Sequence, residues 1–156
     1  MEKVVSSIKY IPYSPQIVYH RLSDLRNVEK VKERVKANPE LAEQLQAQGI
    51  NFDIEDLVCE ADNLRLSISG VGELGLVIAE REENKTLKMD VTGVPVTANL
   101  WIQLLPDGEA GERTKMKLTL GYDIPFFLRA MLKGKLSKLQ DGIEKMAELL
   151  AGLQYE

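Results

Sequence analysis

The sequence predicts an α+β fold in which one curved antiparallel sheet is covered by a long C-terminal helix. Three features carry that prediction. From residue 50 to residue 122 apolar and polar residues alternate with period two, the pattern of strands with one covered face and one wet face. Ahead of that stretch lie two or three short segments with helical spacing, two of them started by proline. Behind it, at about 100° per residue, Leu128, Leu132, Leu136, Leu139, Ile143, Met146, Leu150 and Leu153 fall on one stripe. A helix of roughly 28 residues would reach about 40 Å, enough to cross the concave face of a seven-stranded sheet.

Bulk properties narrow the class further. A chain of 156 residues is the usual size of one domain, here 1–156, and buries roughly 70% of its unfolded surface. No apolar run approaches the ~18 residues of a spanning helix, so no integral membrane association is expected. The start, "MEKVVSSIKY", lacks the apolar core of a secretory signal, which makes the expected location cytoplasmic. Cys59 is the single cysteine and His20 the single histidine. That excludes an internal disulfide and a Cys/His metal cluster, and neither a metal nor a cofactor is expected. A net charge of -4 argues against nucleic acid as a partner. Lys30, Lys32, Arg34 and Lys36, with glutamates among them, read as a solvated helix face.

The elements follow in order. Residues 3–10 alternate loosely, with Val4, Ile8 and Tyr10 on one side of a strand and Ser7 and Lys9 on the other. Ser14 then stands as an N-cap, and Pro15 occupies the first helical position, where its missing N–H costs nothing. Val18, Leu22 and Leu25 share the inward face, and Val28, Val31 and Val35 continue the seam. Asn38 and Pro39 repeat the start signal for a helix that places Leu41 and Leu45 inward and ends near Gly49. Five turn signals, "ADN", "SGVG", "ENK", "GVP" and "PDGEAGE", then divide the alternating stretch into six strands. With the first strand the total is seven, and the short helices stand between strands 1 and 2.

This order resembles the helix-grip superfamily, also called SRPBCC, which includes START lipid-transfer domains, the birch-pollen-allergen group, polyketide cyclases and ubiquinone-binding proteins. The local match is "IKYIPYSPQIVYHRLSDLRNVEK", with Val18 and Leu22 inward and Asp24 opening the next turn. The family pattern usually continues to a tryptophan, where this chain offers Val28 and Val31. The resemblance implies a START-like cavity between sheet and terminal helix that holds a hydrophobic or amphipathic small molecule. It carries over no catalytic residue.

Candidate binding residues follow from that expectation. Phe126, Phe127 and Met131 form a soft apolar group after Pro125 at the expected cavity mouth. Lys135 lies inside the greasy stripe, where it either snorkels to water or meets a ligand carboxylate or phosphate. Met89 and Met116 stand at inward strand positions, as core filler or as pocket lining. Glu80 shares the parity of Leu74, Leu76 and Ile78, so it reads either as an inward acid that binds or protonates a ligand or as a strand-end residue in water. Gly142, near the stripe, reads as a close-packing position against the sheet, and Gly134 as a bend. His20 falls on the solvent side of its helix, and Trp101 on the face opposite Leu100 and Ile102. Binding or transport of a hydrophobic small molecule is the leading function. An enzyme of the cyclase or dehydratase kind, with catalytic residues unknown, is the second. A protein–protein module, with a homo-oligomer built on residues 25–48 or on the Trp101 face, is the third.

Overall fold

Alternation from residue 58 onward becomes one antiparallel sheet whose strands lie in the order β1-β8-β7-β6-β5-β4-β3, with β2 also paired to β8. The computed structural model describes residues 2–47, 53–69, 72–130 and 138–155. The strands are β1 Glu2–Val5, β2 Lys9–Ile11, β3 Val58–Cys59, β4 Asn63–Ile68, β5 Gly72–Glu82, β6 Thr86–Thr92, β7 Thr97–Asp107 and β8 Arg113–Asp123. Between β2 and β3 come helix α1 Pro15–Leu22, the 3-10 turn Leu25–Lys30, α2 Val31–Ala37, α3 Pro39–Ala47 and a second 3-10 turn, Ile54–Asp56. Residues 126–130 are helical, and α4 runs over Leu139–Ala151. The architecture is the helix-grip fold, with eight strands in place of the expected seven.

The extra strand has a local cause. Val5 pairs with Thr119 and Lys9 pairs with Met116, so Ser6, Ser7 and Ile8 face only Lys117 and Leu118. One inserted residue is a β-bulge, which bends a strand and exchanges its two faces. Ser6 holds it: its N–H donates to the Leu118 carbonyl at 2.9 Å, and its hydroxyl accepts from the Leu118 N–H at 2.9 Å. The predicted single strand therefore becomes β1 and β2, and the predicted facing is corrected. Val4 points inward, Ile8 and Tyr10 point outward at 51% and 62% exposure, and Lys9 and Ile11 take the inner side.

Helix α4 closes the edge that the bulge creates. Gln140 Nε2 donates to the Val5 carbonyl at 2.8 Å, Glu144 accepts from the Ser7 N–H and hydroxyl, and Lys9 Nζ stands 3.1 Å from Glu144. These contacts occupy backbone groups that would otherwise template another strand. At the far end of α4 the chain locks itself in. Tyr155 is buried, donates to the Leu150 carbonyl at 2.6 Å and meets the Tyr13 ring edge-on at 6.0 Å. Arg21 Nε bonds the Tyr155 carbonyl at 3.0 Å.

Capping at the front follows the sequence. The Ser14 side chain accepts from the Ile17 N–H, Pro15 opens α1, and Val18, Leu22 and Leu25 are at most 1% exposed. Val31 and Val35 join the same core, and His20 is exposed. In the β6–β7 turn, Gly93 has φ +83°, and a Cβ there would overlap the Glu73 carbonyl oxygen, so only glycine fits.

Two helix expectations are corrected. The last helix is not one rod of about 28 residues: α4 has 13 residues and begins after a turn at Lys138. Among the described residues Gly142 does not serve close packing, because a Cβ added there would have no neighbour within 4 Å beyond its own helix. Gly134 lies outside the described residues.

Two measurements test this frame. The Ser7 N–H first, and then Lys9 and the Ser7 hydroxyl, hold the Glu144 carboxyl below its ordinary value of 4.5, against the opposing effect of partial burial. A depressed carboxyl stabilises the fold fully above that ordinary value and loses its contribution as pH falls through its folded value. Glu144→Gln is therefore expected to cost about 1–2 kcal/mol at neutral pH, and in urea titrations the gap to the unaltered protein should close below about pH 4.5. Gly142→Ala is expected to stabilise by about 0.5–1 kcal/mol; a lower melting temperature would contradict the open space beside it.

Candidate concave binding face

Pairing in the sheet places Leu64, Leu66, Leu74, Leu76, Ile78, Met89, Val91, Leu100, Ile102, Met116, Leu118, Leu120 and Tyr122 on one face, the inner one. That face divides in two. Over β6, β7 and β8 it is closed: Leu87, Met89, Leu100, Ile102, Leu104, Met116 and Leu118 are each at most 2% exposed. Helix α1 packs against β7 and β8 there, and α4 packs against β8, β1 and β2. Over β4 and β5 and at the Tyr122 end it is apolar yet only half-buried, at Leu64, Leu66, Leu74, Leu76, Ile78, Val91, Leu120 and Tyr122.

The covering helix presents a matching side. Gln140 and Glu144 meet the β1–β2 edge, and Ile143, Ala147 and Leu150 are buried. Leu139, Gly142 and Met146 lie on the remaining apolar side of the α-helical wheel, turned away from that edge. All three are half-buried. The room beside Gly142 lies on this side.

A second bulge decides the fate of Glu80. Ile78 pairs with Met89, but Glu80 pairs with Lys88 and Arg81 with Leu87, so Ala79 is the inserted residue. The insertion exchanges the faces, which corrects the inward reading of Glu80. It is exposed, on the outer face opposite Lys88. Arg81 turns inward in its place, where its guanidinium bonds Asp62 at 2.6 Å and the Ser23 carbonyl at 2.9 Å.

The other candidates separate as well. Met89 and Met116 sit in the closed half, at 2% and 0% exposure, as core and not as lining. Phe126 and Phe127 stand 90% and 76% exposed on the surface. Met131 and Lys135 lie outside the described residues. Trp101 takes the outer face as expected, half-buried with the Lys88 ammonium 5.7 Å from its ring centre. The half-buried Cys59 thiol is pushed up to about 11 by desolvation first and by the charge of Glu29 second, the opposite of an activated nucleophile. Among the described residues no group of three His, Cys, Asp or Glu is placed to hold a metal, and no helix is long and apolar enough to cross a membrane.

The inner residues of β4 and β5 are the part of the site that the sequence pattern left unassigned to binding. Their parity was legible; their incomplete cover was not. How completely the helices cover those leucines depends on where the helices dock, which the pattern of one strand does not encode.

No family model matches the chain, and no curated protein matches it. Solved structures do. A Thermus thermophilus protein, TTHA0849, aligns over 96% of this chain and 94% of its own, with a TM-score of 0.56 at 18% identity. A truncated norcoclaurine synthase from Thalictrum flavum aligns over 96% and 91%, with a TM-score of 0.57 at 10% identity. An Aha1 dimer from Colwellia psychrerythraea aligns over 92% and 97%, with a TM-score of 0.51 at 15% identity. At these identities the likeness is one of fold, and the fold shared is the helix grip.

Proposed function

We propose that this chain binds or carries a hydrophobic or amphipathic small molecule between the inner sheet face and the C-terminal helix. One observation carries the reading: the inner face over β4 and β5 is apolar but not closed by packing. Exposed apolar surface in a concave site is what a hydrophobic ligand covers, at roughly 25 cal/mol per Å². Leu139, Gly142 and Met146 would form the opposite wall. Phe126 and Phe127, exposed after Pro125, would meet the ligand at the mouth, with Met131 and Lys135 from the stretch that follows them.

The cyclase or dehydratase reading has less support. It requires an inward acid or base free to act. Among the described residues, the charged groups at inner positions each hold an ion pair, Glu2 with Arg129, Lys9 with Glu144 and Arg81 with Asp62, and only Glu2 keeps a buried oxygen, Oε2, without a hydrogen-bond partner.

Two neighbouring residues on opposite faces provide the test. Leu76→Gln puts an amide on the open inner face, while Val77→Gln alters the outer face. Titration with N-phenyl-1-naphthylamine, followed by fluorescence, should show affinity reduced about tenfold by the first and unchanged by the second. Native mass spectrometry of freshly purified protein should show a stoichiometric added mass that unfolding removes. Equal affinities for both variants, or no uptake of the dye by the unaltered protein, would contradict the reading.

A further inference from the structure

The outer face of the sheet carries a separate feature. Tyr10, Lys115 and Leu105 stand side by side in one cross-strand row over β2, β8 and β7. Tyr10 is 62% and Leu105 63% exposed. Lys117 follows on the same face of β8, opposite Gln103. Beside this row runs a groove of about 690 Å³ whose walls include Ile8, Gln103, Leu105, Pro106, Lys115 and Lys117.

Charge is locally positive along this row, while Glu82 and Lys85, which also line the groove, pair with each other. Lys9, Lys32, Lys36 and Lys85 are each paired with a carboxylate. Among the described residues, Lys115 and Lys117 have no such partner, and the residues across from them are Tyr10, Leu105 and Gln103. The chain as a whole is acidic, at -4. Two unpaired cations flanked by exposed apolar side chains form a local site of opposite sign.

We propose that this groove docks an extended acidic segment of a partner protein, with carboxylates two residues apart. Spacing carries the match. Lys115 and Lys117 are two residues apart on one strand face, about 6.8 Å, and alternate side chains of an extended peptide repeat at the same distance. Each carboxylate meets one ammonium, and Leu105 and Tyr10, which flank Lys115 on the neighbouring strands, pack against the apolar parts of the segment on either side. A recessed groove suits a single extended chain better than a planar bilayer.

Fluorescence anisotropy with fluorescein-labelled Gly-Glu-Ser-Glu-Ser-Leu-Gly tests this on the full chain. The peptide should bind about tenfold more tightly than its Glu-to-Gln counterpart at low ionic strength, and high salt should erase most of that advantage. The double change Lys115→Glu with Lys117→Glu should abolish the preference, and Lys115→Gln with Lys117→Gln should reduce it, with circular dichroism unchanged. Leu105→Ser should weaken both peptides alike. Equal binding of the two peptides by the unaltered protein would overturn the proposal. So would lysine-dependent binding to phosphatidylcholine/phosphatidylglycerol vesicles without peptide binding, which would assign the face to a membrane. A concentration-dependent dimer lost in the lysine variants, again without peptide binding, would assign it to a second copy.

Discussion

A strand repeats every two residues, so one inserted residue exchanges the faces of everything beyond it; this constraint shapes the whole molecule. It acts twice. At Ser6–Ile8 the insertion sends Ile8 and Tyr10 outward and brings Lys9 and Ile11 in. At Ala79 it sends Glu80 outward and brings Arg81 in. Both cations brought inward are then bound by carboxylates, Lys9 by Glu144 and Arg81 by Asp62. The first of these pairs seats α4 on the sheet edge. The second ties the β5 strand to the turn after α1, through the Ser23 carbonyl as well as Asp62.

Seating α4 at the β1–β2 edge has a consequence for the interior. A helix over that edge, with α1 on β7 and β8, covers the inner face at β8 and β7, while the leucines of β4 and β5 are half-buried. Packing at the density of a protein interior thus holds in one half of the concavity and not in the other. The same bulge gives the outer face its exposed Tyr10 and Ile8 beside Lys115 and Lys117. Interior and exterior features share one cause.

Most of the fold was legible because its signals are local. Ser14 and Pro15 start α1 as expected, Pro39 starts α3, and all five turn signals separate strands. The inward parity of Leu64, Leu66, Leu74 and Leu76 was also legible, since no insertion interrupts it. Glu80 was misread because a bulge depends on the partner strand, which a single strand's alternation does not encode. The Ser6–Ser7 pair, polar at both parities, is the one hint of the first bulge in the sequence. The long stripe after Phe126 implied one rod because periodicity alone does not register a turn at Lys138. Met89 and Met116 were placed on the correct face, but which half of that face is closed follows from where the helices dock.

If the proposed ligand is held inside, the parities set by the two bulges decide which methyl groups it touches: those of the inner face and not those of the outer. Methyl-labelled protein titrated with N-phenyl-1-naphthylamine and followed by 1H–13C correlation spectroscopy tests this directly. The account predicts shifts concentrated on the methyl groups of Leu66, Leu74, Leu76, Val91 and Leu120, with Val5, Ile8, Val77 and Leu105 unmoved. Shifts centred on the second group, or spread evenly over both, would contradict it.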